Sequence, residues 1–436
     1  KQPQVRLTLR TWFFSESAAG VPSLGPIRVE FILFGLTLIG VAIFHRKTMY
    51  VALTGLVAVL IFKFIFDPAF HFGGHIFGSA GHEGEWRILL NLTGLLFGFA
   101  ILAKIFEDSR VPDVLPGLLP DDWKGGLLLL FIVFILSAFL DNIAAAIIGG
   151  TIAMVVFKGK VHIGYLAAII ASSNAGGAGS VVGDTTTTLM WIDGVSFNWV
   201  LPAYVASFSG FLIYGIVGSM QQNRFQMIIK DIQPGTTIDW WRIFIVALIL
   251  VGTILTNVFF DFPALGVWIA ILIGSLVRRP PWKELKHAWQ GTVFLVALVT
   301  IASLMPVEEL PPASWQSAFI LGFVSAVFDN IPLTKLCLDQ GGYDWAILAY
   351  AVGFGGSMIW FGSSAGVALS NIYPKIRNSG KYVMNGWHVI VAYVISFFVM
   401  LAILGWNPHE PHKKEHEPGT SSSINMTLND NPDVSH

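Results

Sequence analysis

Charge is scarce in this chain. Only 12% of its 436 residues are Asp, Glu, Lys or Arg while 54% are hydrophobic, and a soluble domain carries about 25% charged residues. That balance argues against a water-soluble globule. The 26 basic and 27 acidic residues leave a net charge of −1, without the basic field that a nucleic-acid partner requires. A single cysteine, Cys337, rules out an internal disulfide framework and a cysteine-rich metal site. No Gly-Lys-Ser/Thr loop of the Walker type is present, which argues against ATP-driven work by this chain. No nucleophile and base fall together in the sequence either, so an enzyme is not expected. What is abundant points elsewhere: 15 Trp, 34 Phe and 44 Gly suit an all-α polytopic membrane protein, where aromatics gather at interfaces and glycine permits close packing or breaks.

A helix crossing the hydrocarbon core needs about 20 mostly apolar residues. The sequence holds ten such stretches, at 28–44, 49–66, 88–104, 161–191, 197–220, 242–258, 264–277, 291–306, 345–373 and 386–405. Those at 161–191 and 345–373 are over-long and carry central glycine clusters, which predicts helices broken in mid-membrane. Two further apolar stretches, 125–157 and 314–338, have Asp141-Asn142 and Asp329-Asn330 near their centres. They read as re-entrant hairpins with midplane tips. Loops rich in Lys and Arg stay cytoplasmic, and those at 46–47, 104–124, 158–160, 224–242, 278–286 and 375–381 hold 17 of the 26 basic residues. They alternate with acidic or neutral connections at 67–86, 192–196, 259–263, 307–313 and 339–344 when each hairpin enters and leaves on one side. A single crossing at either hairpin breaks the alternation, whereas a double crossing preserves it.

Each half then runs three spans, a hairpin, a broken span and a final span. Five crossings per half turn the second half upside down, the inverted-repeat plan of many secondary transporters. The run Ser137-Ala138-Phe139-Leu140-Asp141-Asn142-Ile143 recurs as Ser325-Ala326-Val327-Phe328-Asp329-Asn330-Ile331, and Gly176-Gly177 with Gly183 recurs as Gly355-Gly356 with Gly362. The expected layout is an external segment 1–27, a first repeat 28–220, a cytoplasmic linker 221–241, a second repeat 242–405 and a polar, disordered tail 406–436. Lys1 in place of an initiator Met reads as removal of an upstream segment, with truncation as the rival explanation.

Charged side chains in the hydrocarbon layer are costly and by default mark ion or proton pathways. Asp141 and Asp329, with Asn142 and Asn330, sit at the two expected tips; Asp184 and Thr185 sit in the first broken span, and Ser363 and Ser364 hold the matching place in the second. Broken helices free backbone carbonyls and amides, so these places can converge on one midplane site. Carboxylate, amide and hydroxyl oxygens are hard ligands, suited to Na⁺ or a proton, and Asp141, Asp184 and Asp329 are its expected sodium ligands. The plainer role for a tip acid is to cap the following helix, and the two roles are compatible. Asn174 is a further oxygen ligand or, equally, a helix-breaking residue that satisfies backbone groups. Lys335, about 9 Å along a helix from Asp329, pairs with Asp329, acts as a modulating cation, or snorkels to the outer face. Lys63 snorkels. His71, His75 and His82 flank a loop with Glu83 and Glu85 in no metal-ligand frame and read as solvated, as do His409, His412 and His416 in the tail.

The run from Asn174 to Trp191, with Gly176-Gly177 and Gly183-Asp184-Thr185-Thr186-Thr187-Thr188, resembles NhaD-type sodium/proton antiporters. The similarity continues through Phe328-Asp329-Asn330-Ile331-Pro332-Leu333-Thr334, Gly355-Gly356-Ser357-Met358 and Gly362-Ser363-Ser364-Ala365-Gly366-Val367. It places the chain in the ion transporter superfamily, with arsenite permeases and citrate and dicarboxylate carriers. The resemblance implies a homodimer in the lipid bilayer with an elevator-like transport domain. It implies no cofactor beyond the transported Na⁺ and H⁺, and a bacterial inner membrane or a derived organelle membrane. The chain departs from that pattern at Ala144-Ala145-Ala146, Val181-Val182 and Lys335, which replace hydroxyl ligands, a proline and a small apolar residue. The expected activity is exchange of Na⁺ or Li⁺ for H⁺. The alternative is a cation-coupled anion carrier in which Asp141 and Asp329 bind coupling cations and Lys335 helps hold the anion.

Overall fold

The computed structural model describes residues 15–16, 22–24, 27–44, 47–68, 70–78, 84–229 and 237–409. A short antiparallel ribbon, Ser15–Glu16, Pro22–Leu24 and Ile27–Arg28, precedes the helices. They begin with α1 (Val29–Ile43), α2 (Thr48–Phe66), α3 (Trp86–Asp108), α4 (Trp123–Ser137), α5 (Asn142–Val156), α6 (Ile163–Gly177), α7 (Thr185–Ile192) and α8 (Tyr204–Phe225). The second half supplies α9 (Trp240–Phe260), α10 (Pro263–Ser275), α11 (Lys283–Ser303), α12 (Trp315–Ser325), α13 (Asn330–Gln340), α14 (Trp345–Gly355), α15 (Ser364–Ile372) and α16 (Trp387–Leu404). Six apolar helical segments, among them α2, α3, α9, α11 and α16, are long enough to cross a membrane, and the protein is a polytopic helical membrane protein. The span expected at 291–306 starts earlier, at Lys283, because its first turns carry Lys283, Glu284, Lys286 and His287 and are invisible to hydropathy.

Both over-long stretches are broken, α6 from α7 and α14 from α15, and both Asp-Asn stretches break just before the pair, α4 from α5 and α12 from α13. Steric fit explains where. A methyl group on Gly176 would overlap the carbonyl of Phe134, and one on Gly183 that of Ser137. In the second half Gly355 meets the Gly322 carbonyl and Gly362 that of Ala326 in the same way. Ser137 donates to the Ser173 carbonyl and Ser325 to the Val352 carbonyl at 2.6 Å. Each broken span is thus pressed against the arm of its neighbouring helix pair through equivalent residues. Small residues make this approach possible where lipid offers no hydrophobic contrast: Gly164, Ala167, Ala168, Ala171 and Ala175 line α6, which is buried nearly all round.

The helices pack as two bundles. One contains α1, α2, α3, α9, α10 and α11; the other contains α4 to α8 and α12 to α16. They meet chiefly where α11 lies on α13 and α3 on α7. The basic loops gather on one face, where Arg242 pairs with Asp108 at 3.3 Å, Arg278 with Asp239 at 3.0 Å, and Lys375 donates to the Val161 carbonyl. The acidic and neutral connections gather on the other. There Arg28 pairs with Glu309 at 3.3 Å, His75 meets Ser303 at 3.0 Å, and Lys63 reaches Asp67 at 3.7 Å. The start of the tail docks on this second face. The Asn407 amide donates to Asp344 at 2.9 Å and His409 stacks on Trp199 at 4.8 Å. The rest of the expected disordered tail, with His412 and His416, and most of segment 1–27 lie outside the described residues, as do His82 and Glu83. Among the described residues no group of His, Cys, Asp and Glu side chains forms a metal cluster.

Candidate functional site

Four helices begin inside the second bundle, and each starts on an oxygen-bearing side chain: Asp141 at α5, Asp184 at α7, Asp329 at α13 and Ser363 at α15. Three of them cap their helices. Asp184 accepts from the Thr186 amide at 3.1 Å, Asp329 from the Ile331 amide at 3.1 Å and Ser363 from the Gly366 amide at 3.3 Å. Capping and ligand duty use different lone pairs of a carboxylate, so the plainer role leaves the other open. The second Asp184 oxygen is buried and makes no hydrogen bond, and it faces Gly353, where a methyl group would come within 3.2 Å.

Side chains from three broken segments connect around Asp184. The Asn142 amide donates to Asn174 at 3.1 Å and to Asp184 at 3.4 Å, and Asn174 donates to the Ser357 hydroxyl at 2.9 Å. Asn174 therefore bridges side chains instead of satisfying a helix break. Asn142, Asn174, Asp184 and Ser357 are all buried. Asp329 forms the other edge, where Ser364 donates to it at 3.5 Å and the buried Asn330 follows it. Asp184 lies within electrostatic reach of both Asp141 and Asp329, and Thr185 presents its hydroxyl to Asp141. The structure thus links Asn142, Asn174 and Asp184 among the residues expected from the sequence, with Ser357 added, and sets Thr185 beside Asp141 and Ser364 beside Asp329, while Asn330 and Ser363 stand at the starts of α13 and α15. Ser357 directly follows Gly355-Gly356 and takes the place that Ala178 holds after Gly176-Gly177, a polar residue in a helix break and the one signal that could have singled it out.

Lys335 stands apart from these residues. Its ammonium is held by Glu85 at 3.1 Å and Asp339 at 2.7 Å rather than by Asp329. Neither carboxylate was paired with it from the sequence.

A cavity of about 1710 Å³ leads to the site between the two bundles. Its wall combines α3 and α11 on one side with α5 on the other. It runs from Lys104, Arg110 and Lys158 on the basic face inward to Asp141, Ala144 and Thr185. Its charged lining holds three basic side chains, Lys104, Arg110 and Lys158, and four acids, Glu107, Asp113, Asp141 and Glu284. Helix N-termini favour anions, but here three of the four already carry a carboxylate of their own. Taking carboxylates out of water is costly unless a cation or proton accompanies them. The arrangement is therefore suited to bind and release small cations and protons.

Comparison with known proteins gives two kinds of match. The family model CitMHS, described as citrate transporter, matches residues 31–355. The Na(+)/H(+) antiporter NhaD of Vibrio cholerae serotype O1 is 24% identical over 63% of this chain and 69% of its own length. The Na(+)/H(+) antiporter NhaD of Halomonas elongata is 24% identical over 74% of this chain and 78% of its own. Sodium/proton antiporter 1 of Arabidopsis thaliana is 25% identical over 55% of this chain, and the match spans about half of that relative, 48%.

Proposed function

The chain belongs to the CitMHS citrate transporter family, and on that premise we propose that it exchanges Na⁺, and also Li⁺, for H⁺ through the carboxylates of the broken helices. It is a secondary transporter and an integral membrane protein, not an enzyme. The carrying observation is the placement of Asp141, Asp184 and Asp329 at helix starts, with Asp184 within electrostatic reach of the other two and Asp141 on the cavity wall. A cation and protons compete for these oxygens, so loading one expels the other. Asn142, Asn174, Thr185, Asn330, Ser357, Ser363 and Ser364 supply neutral oxygens and hold the carboxylates in place. The proton gradient then drives sodium out.

The reading includes two inverted repeats, 28–220 and 242–405, joined by the linker 221–241, in a homodimer. The equivalent contacts of Gly176, Gly183 and Ser137 with those of Gly355, Gly362 and Ser325 support the repeat. The interruption of both stretches at Asp141 and Asp329, with α4 packed on α5 and α12 touching α13, supports re-entrant hairpins. By the positive-inside rule the cavity faces the cytoplasm.

The family description and the converging helix N-termini favour a second reading, a citrate or other anion carrier. In that reading Lys335 helps hold the anion, whereas here its ammonium is bound by Glu85 and Asp339. Purified protein in vesicles separates the two. With sodium present and no organic anion, addition of the ion should move protons across the membrane. Flux that begins only when citrate, a dicarboxylate or arsenite is supplied would replace antiport with anion transport.

A further inference from the structure

On the face opposite the cavity, an ion pair between a buried lysine and a half-buried glutamate ties the two bundles together. Lys335, with its side chain 1% exposed, lies on α13 of the second bundle, and Glu85 is the residue from which α3 of the first bundle starts. Their 3.1 Å bond crosses the boundary. The other leg does not cross it, since Asp339 is four residues along the same helix and bonds Lys335 at 2.7 Å. Asp193, which ends α7 in the second bundle, adds another carboxylate within electrostatic reach of the ammonium. Helix α3 is the wall common to both ends of the boundary. Its first residues adjoin this pair and its last turns, with Lys104 and Glu107, line the cavity.

We propose that the Glu85–Lys335 pair is the latch that closes the outer end of the boundary while the cavity is open at the other, and that it must part for the site to reach the outer face. The proposal rests on the antiport reading, in which the site faces each side in turn.

The charge arrangement suits a latch. A buried ion pair that loses a partner normally leaves an unpaired charge, which is strongly destabilising. Here Lys335 keeps Asp339 when Glu85 departs, because both ride on α13. Glu85, at a helix start beside an outer loop, passes to water. Neither state strands the lysine, and the pair is short-ranged enough that a shift of a few ångströms breaks it. Packing of α11 on α13 supplies area but no such on/off term.

The test uses Ile147, which lines the cavity on α5. A cysteine there, with the native Cys337 buried, reports which face is open when an impermeant maleimide is applied to vesicles of either orientation. Glu85→Gln keeps size and removes the crossing charge. It should lower labelling from the basic face relative to the opposite face by about tenfold, within the usual range of conformational coupling. Glu85→Asp, which withdraws the carboxylate by one methylene, should fall between Glu85→Gln and the wild type and serves if Glu85→Gln does not fold. An unchanged labelling ratio in the folded variant would overturn the latch. Sodium-driven proton flux of the wild-type protein in the same vesicles tests antiport separately. A wild-type protein with no such flux contradicts the antiport reading, whereas a wild type that exchanges and a Glu85→Gln variant that labels unchanged contradict the latch alone.

Discussion

Asp141→Asn and Asp329→Asn should each lower sodium/proton exchange by about two to three orders of magnitude while the protein still inserts and purifies. Asparagine keeps the size of the side chain and an oxygen able to accept the capping bond that Asp329 takes from Ile331, so the start of α13 has no reason to unravel. Only the charge is lost. A unit charge about 4 Å away is worth about 4 kcal/mol at the effective dielectric of a partly buried site, and each 1.4 kcal/mol is a factor of ten. The neutral oxygens of Thr185 and Ser364 beside these acids cannot replace that attraction. Exchange is read as sodium-induced decay of a pH gradient in vesicles, with insertion checked on the same preparation. Near-normal exchange in a well-inserted Asp329→Asn protein would remove that carboxylate from the mechanism.

Gly176→Ala and Gly355→Ala should be among the most damaging small changes to the fold. At both positions the added methyl would overlap a backbone carbonyl of a neighbouring helix, Phe134 in one half and Gly322 in the other. A backbone atom cannot rotate aside as a side chain does, so α4 must separate from α6, or α12 from α14. Overpacking of a well-packed core costs about 1–3 kcal/mol, occasionally more, and the tightness here points to the upper end. Gly35 on α1 is the contrast, since a methyl there meets nothing within 4 Å. Gly35→Ala should be neutral or mildly stabilising, because alanine is the better helix former by about 1 kcal/mol. Thermal unfolding of purified protein in detergent measures all three. Equal melting temperatures for Gly176→Ala and Gly35→Ala would show that the close approach at the break is not required.

The elements most legible in the sequence were those set by local composition. Apolar runs located the helices, of which six are long enough to cross a membrane, glycine clusters located both breaks, and the recurring Asp-Asn pairs located the starts of α5 and α13. The candidate acids could be named from the sequence because a carboxylate in an apolar run is informative by itself. What stayed hidden depends on contacts between distant segments. Lys335 meets a glutamate 250 residues away in the chain, and no local pattern distinguishes that from snorkelling or from pairing with Asp329. Ser357 was embedded in a recognisable motif, yet its bond to Asn174 joins the two halves and exists only after both breaks are placed. The first turns of α11 were missed because charge hid a helix from hydropathy, and the docking of Asn407 and His409 because a proline-rich polar tail carries no packing signal.

Competition between sodium and protons for the same carboxylates is the central claim, and proton release on sodium binding tests it without any transport step. Purified protein in weakly buffered detergent solution is mixed with sodium chloride, or with choline chloride as the control, across a series of pH values. Sodium should release protons and choline should not. Release should pass through a maximum, vanishing at high pH where the carboxylates are already unprotonated and at low pH where protons keep sodium out. The Asp141→Asn and Asp329→Asn proteins should release markedly less. Sodium binding detected by calorimetry at every pH with no proton released would contradict the account.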